Sequence, residues 1–291
     1  MSNILVTGAN GQLGSELQEE VSKIASSDLH FFFTDKDTLD ITDLNNIKNF
    51  ISVNHIDTII NCAAYTAVDK AEDDKINANK INHLAVKYLA QVSKDQDLSF
   101  IHVSTDYVFD GVNHKPYIED DMTNPNGIYG QTKLDAESIM LKINPVNSII
   151  IRTSWVYSSY GANFVKTMLR LGKDKEQLGV IFDQVGTPTY AKDLAQAILE
   201  ILPQLKNDNV EIYHYSNEGV CSWYDFAKTI FELSDITCQV NPIETKEYPT
   251  PAQRPHYSLL NKSKIKKDFD LIIPYWKDSL HMCLNKMQEV K

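Results

Sequence analysis

The stretch that decides the fold is residues 4–14, Ile-Leu-Val-Thr-Gly-Ala-Asn-Gly-Gln-Leu-Gly. An apolar run of strand type leads into three glycines with the spacing G-x-x-G-x-x-G and then into a helical pattern. In such a loop the glycines permit a tight turn and close approach of a ligand, and the helix N-terminus can receive a pyrophosphate. The pattern predicts a dinucleotide-binding loop. Because the spacing differs from G-x-G-x-x-G, a helix-opening turn that binds nothing is the alternative.

Short strand-like runs alternate with amphipathic helical runs through the first half of the chain. The predicted strands are residues 4–6, 29–34, 58–62, 99–104 and 148–153, and the predicted helices are 44–53, 80–92, 132–141, 163–171, 191–202 and 222–233. Strands that alternate with helices are typical of βαβ units, so we expect an α/β protein with a doubly wound parallel sheet of Rossmann type. We place the dinucleotide-binding domain at 1–158, rejoined by parts of 179–215, and a smaller C-terminal substrate lobe at 159–291.

Composition limits the classes of partner. The 291 residues carry a formal net charge of -11, which disfavours a nucleic-acid or anionic membrane surface. No apolar run approaches the roughly 18 residues of a membrane span, and the first residues lack the features of a secretory signal. The four cysteines are scattered and form no metal-ligand pattern. We therefore expect a cytoplasmic protein that binds neither nucleic acid nor membrane and has no metal site.

An acidic residue follows the second predicted strand. Asp35 lies about 20 residues after the last glycine of the loop, where a carboxylate can accept hydrogen bonds from the adenosine ribose. This carboxylate would repel a 2′-phosphate and favour NADH, but the neighbouring Lys36 could partly offset it, so NADH or NADPH is expected. Small residues at 61–66 follow the third strand and suit either the floor of a cofactor site or ordinary packing.

The catalytic pattern combines hydroxyls and a lysine. Tyr129 and Lys133 lie four residues apart in a helical pattern and hence on one face, whereas Ser104 and Thr105 end a buried-type strand. A ketone undergoing reduction needs a proton donor at its oxygen. An ammonium about 4 Å away contributes on the order of 4 kcal/mol, about what lowers a tyrosine pKa from ~10 to about 7. We predict Tyr129 as proton donor, Lys133 as the group that lowers its pKa, and Thr105 as a hydrogen-bond partner of the reacting oxygen.

A second Tyr-x-x-x-Lys pattern occurs at Tyr224 and Lys228. It lies beyond the regular alternation of strands and helices, and no strand-end hydroxyl pair precedes it. We interpret Tyr224 as a packing aromatic and Lys228 as a solvated lysine.

Several segments carry a family resemblance. Residues 7–14, 104–111 (Ser-Thr-Asp-Tyr-Val-Phe-Asp-Gly) and 129–133 (Tyr-Gly-Gln-Thr-Lys) resemble the extended short-chain dehydrogenase/reductases, and among them the dTDP-4-dehydrorhamnose reductases. The resemblance includes 64–72, 152–157, 183–189 and 254–261 and so spans nearly the whole chain. It implies reduction of the C4 ketone of the nucleotide sugar dTDP-4-dehydro-6-deoxy-L-mannose to dTDP-L-rhamnose, a step toward cell-surface polysaccharide.

The resemblance also implies site residues. Those expected to bind the cofactor are Gly8, Asn10, Gly11, Gln12, Leu13, Gly14, Asp35, Asp40, Ile41, Ala64, Tyr65, Thr66, Tyr129 and Lys133. Thr105 and Asp106 would contact the sugar, and Trp155 would face the substrate, although residue type alone allows Trp155 to be a core residue. Arg254 is expected either to bind the diphosphate or to form a surface ion pair.

Two alternatives remain open. The regulatory subunit of methionine adenosyltransferase shares the 104–111 and Tyr-x-x-x-Lys signatures without catalysis, and a reductase of another nucleotide sugar would share the site as well. A dehydratase is disfavoured because Tyr107 occupies the position of its acid.

Some family members dimerise through magnesium bound by glutamates. Glu16 matches one of these, but Lys192 opposes a cation at another, so we expect a monomer or weak homodimer without a magnesium bridge.

Overall fold

The computed structural model describes residues 2–24 and 28–289. The first half contains β1 (Ser2–Thr7), α1 (Gln12–Ser22), β2 (Leu29–Thr34), α2 (Leu44–Asn54), β3 (Thr58–Asn61), α3 (Val68–Ala71), α4 (Lys75–Asn79), a π-helix (Lys80–Leu84), α5 (Ala85–Asp95), β4 (Ser99–Thr105), α6 (Ile128–Ile143) and β5 (Ser148–Thr153). The second half contains β6 (Val156–Tyr157), α7 (Phe164–Asp174), β7 (Gln177–Ile181), β8 (Val185–Gly186), β9 (Thr189–Tyr190), α8 (Ala191–Ile201), β10 (Glu211–Tyr215), β11 (Cys221–Ser222), α9 (Trp223–Leu233), β12 (Gln239–Ile243), α10 (Ser263–Phe269) and α11 (Trp276–Glu289).

The central sheet has six strands in the order β10-β5-β4-β3-β1-β2. Every neighbouring pair in it is parallel, which confirms the predicted doubly wound sheet. The five predicted strands are all present, and those at 29–34 and 148–153 have the predicted bounds. The sixth, β10, was not predicted. Its sequence Glu-Ile-Tyr-His-Tyr lacks the continuous aliphatic run that marks a buried parallel strand.

Helices cover both faces of this sheet. Neighbouring residues of β1 point to opposite faces, so Ile4 packs in one apolar cluster with Leu17 and Leu194, whereas Leu5 packs in another with Ile47. The first cluster joins α1 and α8 to the sheet, and the second joins α2, α5 and α6. Burial of each such aliphatic side chain stabilises the fold by roughly 1.5–3 kcal/mol.

A third apolar cluster lies in the C-terminal part of the chain. It joins α7, α9 and α11 through Val165, Phe226, Ile230, Trp276 and Leu280. The chain returns to the sheet between these elements, because α8 packs on α1 and β10 pairs with β5. Residues 265–273 also contribute to a cluster on the sheet. The division into domains at 158 and 159 stays a prediction, and its outer bounds at 1 and 291 lie outside the described residues.

The described residues contain no helix that is long and apolar enough to cross a membrane.

Candidate active site

The glycine loop between β1 and α1 is packed too closely for side chains. Gly8 has φ +70°, and a Cβ on it would lie 2.6 Å from the Ala63 backbone nitrogen. A Cβ on Gly14 would lie 2.4 Å from the Gly8 carbonyl oxygen. Both distances are shorter than van der Waals contact, so glycine at position 8 lets the loop approach the end of β3, and glycine at position 14 lets the start of α1 pack against the loop.

Helix α1 opens toward this loop with free backbone donors. Its N-cap is Gly11, and within the described part of the chain no side chain caps the helix and its first turn has no acidic residue. The first-turn N–H groups are therefore available to an anion. Gln12 accepts a hydrogen bond from Asn163 at 2.9 Å and so ties the loop to the C-terminal part. Leu13 is buried in the core beneath.

A cleft of about 580 Å³ lies beside the loop. It is lined by Gly8, Asn10, Gly11, Asp35, Lys36, Asp37, Leu39, Asp40, Ile41, Thr42, Cys62, Ala63, Ala64, Asn77, Lys80 and Ile81. Half of the residues expected to bind the cofactor thus surround one cavity at the carboxyl ends of β1, β2 and β3, where ligands bind in sheets of this type. The others do not line it: Gln12, Leu13, Gly14, Tyr65, Thr66, Tyr129 and Lys133.

Two carboxylates in the cleft are already hydrogen-bonded. Asp35 accepts from Asn10 at 2.5 Å and from the Thr38 hydroxyl at 2.9 Å, and the contacts with Thr38 hold the pKa of Asp35 below its usual value. Asp40 accepts from the Thr42 hydroxyl at 2.7 Å, which likewise lowers the pKa of Asp40. Both side chains are therefore ionised and held in place, so the cleft is acidic near the expected ribose position.

The segment after β3 is held by a residue of the π-helix. Asn82 is fully buried, accepts a hydrogen bond from the Tyr65 backbone N–H at 2.8 Å, and donates to the Tyr65 carbonyl at 3.1 Å. Its amide also donates to the Thr132 hydroxyl on α6 at 3.1 Å. Extra residues in a helix often mark functional sites. Here the bulge orients the backbone of Ala64, Tyr65 and exposed Thr66 beside the cleft.

Tyr129 and Thr105 meet at the carboxyl edge of β4. Tyr129 lies in the first turn of α6, and its ring packs edge-on against Tyr107 with centroids 5.5 Å apart. Burial raises the pKa of Tyr129 to about 12, and the negative charge of Asp106 adds to the rise, while a hydrogen bond with Thr105 opposes it. The expected lowering of this pKa toward neutrality is therefore wrong for the protein alone. Tyr129 keeps its proton at neutral pH.

Lys133 explains why that expectation was wrong. Its side chain is 1% exposed, and its amine donates to the Val103 carbonyl at 2.6 Å and lies 3.3 Å from His102 Nε2. Burial lowers the pKa of Lys133 to about 8, although the charge of Glu137 opposes this. A lysine that loses its charge so easily and is directed at β4 does not offset the burial of the Tyr129 hydroxyl.

Ser104 belongs to a buried ion-pair network rather than to the catalytic edge. Its hydroxyl donates to Glu137 at 2.5 Å, and Glu137 forms a salt bridge of 2.7 Å with Arg152 on β5. Both charged side chains are at most 3% exposed. Breaking such a pair leaves an uncompensated buried charge, so this network clamps α6 onto β4 and β5.

Asp106 lies buried beside Thr105, whose hydroxyl donates to it at 2.9 Å. Burial raises the pKa of Asp106 to about 7, and hydrogen bonding from Thr105 and the neighbouring Ser258 opposes the rise only in part. Ser258 in turn faces Gly186, where a Cβ would lie 2.5 Å from its hydroxyl and 3.0 Å from the Trp155 ring. The structure thus brings Asp106 and Trp155 to one region.

Trp155 and Arg254 both have protein partners. Trp155 has φ +50°, an uncommon conformation for a large residue, and stacks on Trp223 with centroids 3.6 Å apart. Arg254 forms a bidentate salt bridge with Asp69, with distances of 3.0 and 2.7 Å. Trp155 therefore packs against another aromatic ring and Arg254 forms an ion pair, as the alternative interpretation of each residue expected. Neither contact tests whether these residues also bind substrate.

The second Tyr-x-x-x-Lys pattern lies on α9. Tyr224 is half-buried, and the exposed Lys228 amine lies 5.9 Å from the centre of its ring. This is a surface cation–π pair, remote in sequence from the Thr105 edge.

Comparison with known proteins identifies the family. Residues 1–289 match the family model described as the RmlD substrate binding domain. The chain belongs to this family. A dTDP-4-dehydrorhamnose reductase of Aggregatibacter actinomycetemcomitans is 39% identical over 290 residues, covering 96% of this chain and 97% of the relative.

Solved structures of the family agree with this fold. A dTDP-4-dehydrorhamnose reductase from Clostridium acetobutylicum ATCC 824 superimposes with a TM-score of 0.92 at 41% identity, covering 98% of this chain and 99% of that one. The family member from Bacillus anthracis str. Ames, solved in complex with NADP, also has a TM-score of 0.92, at 36% identity over 98% and 100% of the two chains. The match over nearly the full length confirms the resemblance of the sequence to this reductase family.

Sequence reasoning missed several residues that support the site. His102, Asn82 and Glu137 contact Lys133, Tyr65 and Arg152, respectively. A lone histidine in the apolar run of β4, and a glutamate one turn after Lys133 on the same helix face, were the available signals. Neither identifies its partner without the fold.

Proposed function

We infer that this chain reduces the C4 ketone of dTDP-4-dehydro-6-deoxy-L-mannose to dTDP-L-rhamnose with NADH or NADPH, and we propose Tyr129 as the proton donor. The activity follows from membership of the reductase family over nearly the whole chain. The observation that supports the residue assignment is the contact of Tyr129 with Thr105 at the sheet edge, one strand from the cleft beside the glycine loop.

The cleft fits a dinucleotide. The close-packed glycines and the uncapped start of α1 suit a pyrophosphate, and Asp35 with Asn10 suits the adenosine ribose. Lys36 lines the same cleft and could form an ion pair with a 2′-phosphate, so the cleft fits NADPH as well as NADH. When bound, the reduced nicotinamide supplies the electrons that the carbonyl carbon receives.

Tyr129 completes the reaction at the oxygen. Negative charge develops on the carbonyl oxygen during reduction, and a neutral phenol within hydrogen-bond distance can donate its proton there. Because the pKa of Tyr129 is raised to about 12, the hydroxyl stays protonated over the physiological range. Thr105 donates its single hydroxyl proton to Asp106, so its oxygen can accept from the Tyr129 hydroxyl and orient it, but Thr105 would have to release Asp106 to donate to the reacting oxygen. Lys133 binds the nicotinamide ribose in its ammonium form.

The substrate sites proposed for the sugar and diphosphate lie around this edge. Asp106 and Trp155 border the same region and are proposed to contact the sugar. Arg254 is proposed to bind the diphosphate, which would have to replace its two contacts with Asp69.

The test is loss of nicotinamide absorbance with purified protein, NADH or NADPH, and the nucleotide sugar generated enzymatically in the same tube. Oxidation of the cofactor that depends on the sugar supports the reductase. Binding of the cofactor without turnover, together with binding to a methionine adenosyltransferase, would support the regulatory alternative instead. Turnover of only another nucleotide sugar would keep the mechanism and change the substrate.

We further propose that no magnesium ion bridges two copies of the chain. Both carboxylate oxygens of Glu16 are occupied, one by Ser158 at 2.5 Å and one by Lys286 at 2.7 Å, and Lys192 lies 4.0 Å from Glu20. A cation at Glu16 would have to displace the Lys286 ammonium. We expect a monomer or weak homodimer whose sedimentation is unchanged by magnesium. Magnesium-dependent dimerisation would contradict this proposal.

A cytoplasmic location is also proposed, because the nicotinamide cofactor and the activated sugar that the reaction needs are cytoplasmic metabolites.

A further inference from the structure

A line of buried polar side chains crosses the sheet and ends at Lys133. Thr7 donates to Asn61 Oδ1 at 2.6 Å, Asn61 Nδ2 lies 3.1 Å from His102 Nδ1, and His102 Nε2 lies 3.3 Å from Lys133 Nζ. Thr7 pairs with Asn61 in the strand register and Asn61 pairs with His102, so these side chains lie side by side near the carboxyl ends of β1, β3 and β4. All four residues are at most 1% exposed.

The two groups that donate to the Asn61 side-chain oxygen set the direction of this chain of hydrogen bonds. Its Oδ1 faces the Thr7 hydroxyl and, at 3.3 Å, the Ala63 backbone N–H, so its Nδ2 is the group that faces His102. His102 Nδ1 must then accept, and the proton of a neutral imidazole lies on Nε2. Burial and the nearby Lys133 hold the pKa of His102 well below its usual value, so the ring is neutral.

The remaining ring N–H of His102 points at the lysine. A neutral amine can accept that hydrogen bond with its lone pair, whereas an ammonium has no acceptor. We propose that His102 is a positioning residue for Lys133: the Thr7–Asn61–His102 chain presents an N–H to the lysine amine, fixes it beside Val103 and disfavours its protonated form. The inference rests on the proposed function, in which Lys133 binds the cofactor.

Among the other titratable groups that face Lys133 or the catalytic edge, Cys62 and Tyr129 lose their protons at much higher pH, whereas Asp106 titrates close to Lys133. The pKa of Lys133 is about 8, whereas the pKa of the Cys62 thiol and that of Tyr129 are about 12, and that of Asp106 is about 7. Glu137, one turn along α6, contributes its negative charge, which favours the ammonium. Asp106→Asn is the control for the neighbouring carboxyl: a change in cofactor binding near neutrality that persists in this variant belongs to Lys133.

The sign of the expected change follows from the direction of the hydrogen bond. Protonated Lys133 donates to the ribose hydroxyls in the proposed site, so cofactor affinity falls as the pH rises through the pKa of Lys133. Removing the N–H of His102 removes a bond that only the neutral amine can make. The fall in affinity should then move to higher pH, by roughly one pH unit for the loss of one hydrogen bond.

Two substitutions at His102 separate the ring nitrogens. The amide introduced by His102→Asn reaches only the Nδ1 position and keeps the contact with Asn61, whereas that of His102→Gln reaches the Nε2 position and can donate to Lys133. We would measure the Kd of NADPH by nicotinamide fluorescence, and kcat/KM, across the neutral and alkaline range. The midpoint should move upward in His102→Asn and stay near the wild-type value in His102→Gln. Thermal melting of each variant measures any loss of stability. Such a loss alone does not move the pH midpoint of NADPH binding.

Asn61→Asp is an independent variant of unchanged volume. A carboxylate cannot donate to His102 Nδ1, so the ring proton moves to Nδ1 and Nε2 becomes an acceptor for the ammonium. The buried carboxylate also places a negative charge near the ammonium, so the midpoint should rise further than in His102→Asn. Wild-type midpoints in both variants would overturn the proposal. The NADPH titration does not need turnover, so failure of the reductase assignment would appear separately, as binding without sugar-dependent oxidation, and absence of NADPH binding would overturn both.

Discussion

Replacing Tyr129 by phenylalanine removes one hydroxyl from the catalytic edge and little else. The phenyl ring keeps the edge-on packing against Tyr107 at 5.5 Å. The lost hydroxyl contacts Thr105, and one neutral hydrogen bond is worth about 1 kcal/mol of stability. Loss of a general acid costs roughly 10²- to 10⁴-fold in rate, or about 3–5 kcal/mol of activation free energy. We therefore expect kcat to fall at least ~100-fold while the fold is retained.

The assay is sugar-dependent oxidation of NADPH, combined with nicotinamide fluorescence for cofactor binding. The Kd of NADPH should change by no more than roughly twofold, because the hydroxyl acts on the substrate oxygen during reduction. Tyr224→Phe is the matched control, since it removes a hydroxyl from the other Tyr-x-x-x-Lys pattern, and its kcat should equal that of the wild type. Wild-type kcat in Tyr129→Phe would refute the assignment of Tyr129 as proton donor.

Three further changes test other parts of the site. Lys133→Met should raise the Kd of NADPH roughly tenfold or more by fluorescence, because the ammonium that would bind the ribose is lost, and should lower the melting temperature, because the buried Val103 carbonyl and His102 N–H lose their partner; unchanged affinity would contradict the ribose role. Glu137→Gln should destabilise the protein by roughly 3–5 kcal/mol in urea unfolding, because Arg152 loses its buried partner, and a loss within error would contradict the clamp. Burial raises the pKa of Asp106 from 3.8 to about 7, so its contribution to stability is present below the lower value and lost as the pH rises through the upper one. Asp106→Asn should therefore gain in melting temperature over the wild type above that pH, and equal differences in acid and alkaline buffer would exclude this titration.

Much of the sheet could be predicted because buried parallel strands are continuous apolar runs. The strand at 148–153 is fully buried and carries such a run at 149–151, whereas the strand at 29–34 is a partly exposed edge strand marked by the aromatic run at 31–33. Both strands have the predicted bounds. In contrast, β10 carries Glu211, Tyr213 and His214, whose polar atoms are satisfied by tertiary partners. Its place beside β5 follows from packing and is invisible in a local pattern.

The candidate site, like the sheet, was predicted from the sequence only in part. The spacing of Tyr129 and Lys133 put them on one helix face, and the end of β4 put Thr105 at the sheet edge. Their charge states did not follow. The sequence argument assigned the lysine to the tyrosine, but the fold buries both groups and directs the amine to Val103 and His102. Desolvation, which no sequence pattern reports, reversed the direction of the Tyr129 pKa shift.

The sequence by itself determined the fold class, the family and the types of residue at the reacting edge, because strand and helix periods and glycine spacing are local properties of the chain. Only the tertiary structure decided which polar groups became neighbours. Thr7, Asn61, His102 and Lys133 are dispersed along the chain and meet because three parallel strands and one helix align them. Hydrogen-bond direction, burial and protonation depend on those neighbours, so they could be assigned only from the tertiary structure.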